Sequence, residues 1–494
     1  MYIGLDLGTS AMKALLVDDE ERLVASATIP VATNHLQQGW AEQHPLVWIE
    51  AAKRALAKIR QAAPGDYSKA RAIGLSGQMH SLVVLDRTKA AIRPAILWND
   101  VRGDEWCRKV VADHPDVSAI TGVRPMPSFT AAKLAWLREN EAKAFSEIAH
   151  ILLPKDFVRL WLTGELATDA CDAGGTQLFH QEKRRWSRDV CSILGIDEAV
   201  LAPVLDGSEI AGYLRPAVAA ELGLDKIAVI CGGGDAATSS LGAGCAAAGR
   251  SMLSLGTGAV YLTMQDRFRP ASSDSVHNFA HSLPGRWYHM AALLNCGSAL
   301  EWICAVTGGQ APAEALGELE RQAASPSPGP SPVMFLPYLD GNRTPHCDAG
   351  VRGGFFGLER ATSKTDLVQA VIEGITFALA DADQVLLDSG NTIGAPILIG
   401  GGAKSLYWTR LIATVFQRPL KRVVAAETGS ALGATRLAMI GLNKADPDAV
   451  ATEPPTETVE PDSRLVSAYQ DRLAVFRQMY SSADLYARAG GGAR

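Results

Sequence analysis

The sequence predicts an α/β protein built from two related lobes, and three observations carry that prediction. The chain has 494 residues, too many for a single hydrophobic core. One short phrase occurs twice, as LDLGTSAMKALL from Leu5 and as LSLGTGAVYLT from Leu253, with Thr9 and Thr257 half a chain length apart. Each copy flanks a Leu-Gly-Thr turn with apolar, strand-forming residues. Each therefore reads as a β-hairpin whose backbone N–H groups and threonine hydroxyl suit a phosphate. The copies are not equivalent, because Asp6 of the first is Ser254 in the second. A single carboxylate suits a nucleoside triphosphate held between two lobes, with a metal ion on one side.

The elements follow in order. Tyr2–Asp6, Met12–Val17 and Arg22–Ile29 read as strands, separated by Gly-Thr-Ser and by the polar turn Asp18-Asp19-Glu20-Glu21. Leu23, Ala25, Ala27 and Ile29 fall on one face at period two. A helix is expected from Pro45, with Ile49, Ala52, Leu56 and Ile59 at helical spacing. Ala70–Leu75 is a short buried strand running into Ser-Gly-Gln-Met-His. Strands, a helix and another strand in that order describe a ribonuclease H-like lobe. Lys226–Cys231 is a further strand, leading into Gly232-Gly233-Gly234-Asp235 and a small-residue helix over Ala236–Ala243. The second hairpin begins near Arg250, which places the domain boundary near residue 245. Ala395–Ile399 is a buried strand ending in Gly400-Gly401-Gly402. Ser325–Pro332 reads as a mobile surface loop or small excursion, and the glycine-rich end from 486 to 494 as a disordered tail.

Composition narrows the function. Apolar residues make up 47% and charged residues 20%, as in ordinary soluble globular proteins. A formal charge of −6 argues against a nucleic-acid partner. No apolar run of about 18 residues suggests a membrane span. The N-terminus enters a strand at once, without a basic leader, and the eight cysteines show no C-x-x-C pair. A cytoplasmic protein with reduced thiols is the expectation.

Several stretches carry candidate chemistry beside a plainer reading. Asp6 ends a strand before Gly8, Thr9 and Ser10. It could hold Mg²⁺ directly or through water, although a lone D-x-G-T is also an ordinary turn. Asp235 stands at the mouth of a strand behind three glycines. It could take the proton from an attacking hydroxyl or merely cap the next helix. On that stretch alone the cap is the simpler reading. The Gly400–Gly402 turn could let an adenine lie against backbone, or simply begin a helix. Gln78-Met79-His80 ends a strand, and Trp98-Asn99-Asp100-Val101-Arg102 offers an aromatic plate, a carboxylate and a guanidinium. Both suit a polyhydroxylated ligand, but a buried histidine is often structural, and Asp100 and Arg102 could pair with each other. His277 and His281 have a four-residue spacing, but on a strand they lie too far apart for one zinc ion.

Taken together, these stretches resemble the FGGY carbohydrate kinases. MYIGLDLGTS, IGLSGQMH, RPAILWNDVR, LLPKDFVRLWLTGE, GGGDAA, LSLGTG, FLPYLDGNRTPH, IGGGAKSLYW and ALGATRLA stand in that family's order, from Met1 to about Tyr480. Two longer family patterns also fit. One runs from Ser128 through Thr130, Lys133, Trp136 and Glu139 to Asn140, the other from Gly353 through Phe355 and Gly357 to Asp366, Ala370 and Glu373.

The resemblance implies two actin-like ATPase domains flanking a deep catalytic cleft, residues 1–245 mainly for sugar and 246–485 mainly for ATP. It assigns Asp235 as general base and Asp6 to phosphate and magnesium. Gly8, Thr9, Ser10 and Lys13, the Gly256-Thr257-Gly258 turn, and Gly401-Gly402 would face ATP. Met79 and His80, with Trp98, Asp100, Arg102 and Asp235, would face the sugar. The implied reaction is phosphorylation of a pentulose, D-xylulose at its 5-hydroxyl, with another ketopentose or a pentitol as the alternative. A homodimer is compatible with it. Ala236 stands where many such kinases have Asn, Ser81 where Gly is usual, Gly258 for a Ser and Asn342 for a Glu. A non-catalytic actin-like nucleotide switch would lack the sugar-pocket stretches. A retired sugar-binding regulator would be expected to lose Asp6 or Asp235.

Overall fold

The computed structural model describes residues 1–323, 329–424 and 429–486. Each half is organised on a mixed sheet that begins with the repeated hairpin. The first comprises β1 (Tyr2–Leu7), β2 (Ala11–Val17), β3 (Leu23–Pro30), α1 (Pro45–Ala62), β4 (Ala72–Gly77), α2 (Pro154–Thr163), α3 (Ala170–Gly174), β5 (Ile210–Tyr213), β6 (Ala228–Ile230), β7 (Gly233–Gly234) and α4 (Asp235–Gly242). Its strand order is β5-β6-β4-β1-β2-β3, with β7 also paired to β4. The hairpin is antiparallel, while β4 runs parallel to β1, and β6 to β4.

The second half repeats the plan. It contains β8 (Ser251–Leu255), β9 (Ala259–Gln265), β10 (His277–Ala280), β11 (Trp287–Leu293), α5 (Gly297–Val306), α6 (Lys364–Asp388), β12 (Ile397–Ile399), α7 (Leu406–Phe416), β13 (Leu420–Val423), α8 (Ser430–Asn443) and β14 (Thr456–Val459). The strand order is β10-β11-β9-β8-β12-β13-β14, again an antiparallel hairpin beside parallel strands.

Local chemistry sets these elements. The His44 side chain accepts from Leu46 N–H, and Pro45 opens α1, whose buried face carries Ile49, Ala52, Leu56 and Ile59. Ala25, Ala27 and Ile29 are buried as expected, but Leu23 is 44% exposed. The pairing slips between Leu16 and Val17, where Leu16 faces Ala25 and Val17 faces Leu23. Val24 is the extra residue of that bulge, and it turns Leu23 to the opposite face. Residues 325–328 of the expected loop, and 487–494 of the expected tail, lie outside the described residues. Ser331, expected on that loop's surface, is buried, because its N–H donates to Glu373 and its hydroxyl to the Asp366 carbonyl.

The halves meet through backbone. Helix α8, late in the chain, packs on the first sheet and against α4. A Cβ built at Gly4 would overlap the carbonyl of Ala431, one at Gly74 that of Ala434, and one at Gly433 that of Thr238. Arg436 on α8 donates to both carboxylate oxygens of Glu21, at 2.8 and 2.7 Å, and to the Leu241 carbonyl. Tyr2, Leu15, Ile230, Leu241, Leu437 and Ile440 close the interface with an apolar cluster.

Adding a methyl group at these crossings should therefore be costly. We expect Gly74→Ala and Gly433→Ala each to destabilise the protein by about 1–3 kcal/mol or more. Gly317→Ala, in a helix with open space around it, should be neutral or stabilising by up to about 1 kcal/mol. Urea unfolding midpoints that fall equally for all three would contradict the close-approach account.

Candidate active site

Three parallel or neighbouring strands bring the two carboxylates together. Asp6 pairs across the sheet with Ser76 of β4, and Ser76 pairs with Gly233 of β7. Asp235 follows β7 directly as the first residue of α4. Ser76 Oγ lies 2.7 Å from Thr238 Oγ1, whose hydroxyl reaches back to the carbonyls of Gly234 and Asp235 at 3.1 and 3.2 Å. Gly234, not Asp235, holds the N-cap position of α4, and the Asp235 carboxyl instead meets the N–H groups of Asp235 and Ala236 in the first turn.

Burial governs both acids. It pushes the Asp235 carboxyl up to about 7, with the Asp6 charge adding to the rise and the N–H groups of Asp235 and Ala236 opposing it. Burial also raises Asp6, against the Ser76 hydroxyl and the Lys13 ammonium. Lys13 sits opposite Asp6 in the hairpin register. Asp6 Oδ1 is buried with no hydrogen-bond partner.

Beside Asp235, Gly234 leaves room for Met79, since a Cβ at Gly234 would overlap its side chain. Met79 Sδ lies 3.9 Å from Cys171 Sγ, which lies 3.3 Å from Tyr288 Oη. His80 follows in a left-handed conformation, φ 69°. Its Nδ1 is 2.8 Å from the Gly175 carbonyl. A carbonyl only accepts, so Nδ1 carries the proton. Burial holds the ring neutral, down to about 3, which leaves Nε2 able to accept a hydrogen bond.

The Gly175 carbonyl is itself held in place. It closes α3, whose first turn is capped by Asp169 accepting from Cys171 N–H at 2.9 Å. The buried Lys155 ammonium touches Asp156, Asp169 and Asp172 at 2.6, 3.0 and 2.9 Å, and Arg159 pairs with Asp156 at 3.0 Å. Burial, with Asp169 and Asp156 nearby, pushes Asp172 well above the usual carboxylate range. Ser282 of the second half donates to Asp169 at 2.9 Å.

The other sequence candidates divide. Thr9 Oγ1 donates to Gln78 at 3.1 Å and accepts from Trp98 Nε1 at 2.8 Å, while its carbonyl accepts from Gln43. That hydroxyl holds the hairpin to the Met79 strand. Asp100 and Arg102 correct the expectation of direct ligand contact. Asp100 is fully buried, accepts from Ala41 N–H, and pairs bidentately with Arg102 at 2.8 and 2.6 Å. Arg102 also meets Glu42 and lies over the Trp40 ring at 3.7 Å. This pair braces the segment that carries Trp98. His281 bonds Ser240 on α4 at 3.0 Å, and among the described residues no group of three or more histidines, cysteines and acids is placed to hold a metal ion.

In the second half, Thr257 is exposed at its turn, and its carbonyl accepts from the N–H groups of Cys296 and Ser298, both at 3.0 Å. Gly256 and Gly258 tighten that turn through a 3.0 Å bond. Gly400 adopts φ 92°, where a side chain would be strained, and Gly401 faces open space. Residue patterns missed Ser76, Gly175 and the Lys155 cluster. Their signal was present in LLPKDF and in the Asp169/Asp172 spacing, but an ion cluster built from separate segments leaves no local period.

Two hairpin-bearing lobes with paired carboxylates at the strand ends define a phosphotransferase of the actin-like ATPase class. Residues 1–242 match the N-terminal domain model of the FGGY family of carbohydrate kinases, and residues 251–442 match its C-terminal domain model. The chain belongs to that family and is an ATP-dependent carbohydrate kinase. It is 38% identical to the xylulose kinase of Escherichia coli K12 over 97% of this chain and 98% of that protein. A crystal structure of a xyloylose kinase from Brucella ovis superposes with a TM-score of 0.93 at 40% identity, covering 97% and 99% of the two chains. A gluconate kinase from Lactobacillus acidophilus superposes with a TM-score of 0.90 at 25% identity, over 98% of each chain.

A carboxyl near 7 that takes a proton in the reaction must first be ionised, so with Asp235 in that role activity would fall as pH drops below that value. We expect the acid limb of kcat/KM, which reports the free enzyme, near pH 7. Asp6→Asn removes the neighbouring negative charge, so its limb should move to lower pH even as turnover falls. An unmoved limb would refute the coupling of the two acids.

Proposed function

We propose that this protein transfers the γ-phosphoryl group of ATP to the 5-hydroxyl of D-xylulose. The observation that carries the reading is the juxtaposition of Asp235, its carboxyl pushed up to about 7 by burial, and the Met79–His80 segment beside it. Asp235 takes the hydroxyl proton as the oxygen–phosphorus bond forms and the β–γ bridge breaks, then releases that proton to solvent. His80 Nε2 accepts from another sugar hydroxyl. The likeness to xylulose kinases over nearly the whole chain supports the choice of sugar. The likeness to a gluconate kinase of the same fold supports a sugar choice made by side chains rather than by the fold.

The backbone turns at Gly8–Ser10 and Gly256–Gly258 would hold the phosphates, with Lys13 nearby and the open turn at Gly401–Gly402 taking the adenine. Asp6 Oδ1, buried without a partner, fits a hard cation or its hydration water. Mg²⁺ there would spread phosphate charge. Asp100 and Arg102 support the pocket from behind, while the Trp98 ring edges it. No described helix is long and apolar enough to cross a membrane, and the cytoplasm is the proposed location.

Asp235→Ala should lower turnover by about 10²–10⁴ or more while calorimetric ATP binding persists; near-normal turnover would remove Asp235 as base. Across ketopentoses, ketohexoses, pentitols and glycerol, D-xylulose should give the highest kcat/KM. A higher value for D-ribulose, L-xylulose or a pentitol would change the sugar and leave the reaction class intact.

A further inference from the structure

Arg343 is a cation whose backbone is fixed and whose side chain is nearly unpartnered. On its two flanks, Asn342 Nδ2 donates to the Thr344 carbonyl at 2.9 Å, and Asn342 Oδ1 accepts from His346 N–H at 2.8 Å. Thr344 Oγ1 donates to the Ser275 carbonyl at 2.9 Å and accepts from Ala292 N–H at 3.2 Å. The Arg343 carbonyl accepts from Cys347 N–H at 2.9 Å. Its guanidinium, half-buried, has a single long contact, Nη2 to Ser128 Oγ at 3.4 Å. No described carboxylate pairs with it. A guanidinium enclosed this way, offering five donors, is costly unless oxygen atoms come to meet it.

The contact with Ser128 crosses from the second half to the first and leads to the segment that packs on His80. Ser128 precedes Phe129, whose ring is 4.8 Å from that of His80 and 5.6 Å from that of His277. Thr130 Oγ1 donates to the His80 carbonyl at 2.9 Å. Lys133 Nζ fixes this segment by donating to the carbonyls of Pro127, Ser128 and Phe129. Packing and hydrogen-bond contacts thus run in order from the Gly234–Asp235 turn through Met79, His80 and Phe129–Ser128 to Arg343. Around the guanidinium the partners are neutral: His277 is buried, and burial together with the Arg343 charge holds both His277 and His80 well below their usual range.

We propose that Arg343 is an acceptor-specificity residue supplied by the second lobe, donating hydrogen bonds to the sugar oxygens at the end of the chain remote from the hydroxyl that Asp235 deprotonates. The chemistry favours a ketose. A carbonyl oxygen only accepts and so matches a donor-only guanidinium, whereas Asp235 and His80 Nε2 accept from hydroxyls at the other end. Since Ser128 and Arg343 come from different lobes, sugar binding would draw the lobes together at this point.

The inference rests on the sugar-kinase reading above and is tested with Arg343→Met and Arg343→Lys in the full chain. For Arg343→Met, the D-xylulose KM and its calorimetric Kd should both rise about tenfold to a hundredfold, the range for a lost charge-assisted hydrogen bond. The kcat and the Kd for ATP should stay within about twofold, the pattern of lost uniform binding. Arg343→Lys, which keeps the charge but not the fork, should fall between. Unchanged D-xylulose binding, or equal losses for D-xylulose and ATP, would overturn the proposal. A wild-type protein that does not bind D-xylulose would defeat the substrate reading alone. The same comparison then runs with the best ketose of the panel, and the same outcomes decide.

Discussion

The structure depends on a place where backbone touches backbone. Gly4 and Gly74, in adjacent strands of the first sheet, let α8 settle against them, and Gly433 on α8 lets α4 settle in turn. No side chain fits at these points, so the spacing between sheet, α8 and α4 is fixed by main-chain contact rather than by adjustable packing. Helix α4 begins with Asp235. The position of the proposed base is therefore a direct consequence of these glycine crossings. A helix from the second half of the chain thereby supports the first half's sheet.

On that frame the site is organised by burial. Burial raises both Asp6 and Asp235, and the Asp6 charge raises Asp235 further. Serine and threonine hydroxyls bridge them through Ser76 and Thr238. The two acids differ in environment: the Asp235 carboxyl meets backbone N–H groups, while Asp6 Oδ1 is buried without a hydrogen-bond partner, and the two proposed roles rest on that difference.

The sugar side is rigid for a different reason. The tautomer of His80 is set by the Gly175 carbonyl, that carbonyl by α3, and α3 by Asp169 and the Lys155 cluster. Asp100 and Arg102 do comparable work for the Trp98 segment. Buried ion networks of this kind hold their members in place through several charged contacts at once, and they lie behind the groups that would meet the sugar.

The sequence by itself determined the repeated hairpins, the strand carrying Asp6, the strand leading into Gly232–Gly234, the start of α1 at Pro45, and the family. All of these follow from short-range patterns: turn glycines, alternation at period two or 3.6, and capping residues that act on neighbours. It also placed both acids at strand ends. Only the tertiary structure decided that α8 crosses to the first sheet, that Leu23 turns outward at a bulge, that Asp100 and Arg102 pair with each other in the interior, and that Arg343 reaches Ser128. Each of those outcomes joins segments that are distant in the chain or depends on the register of a partner strand. No local periodicity encodes such a pairing. It is set by which groups can satisfy one another once the two lobes are packed.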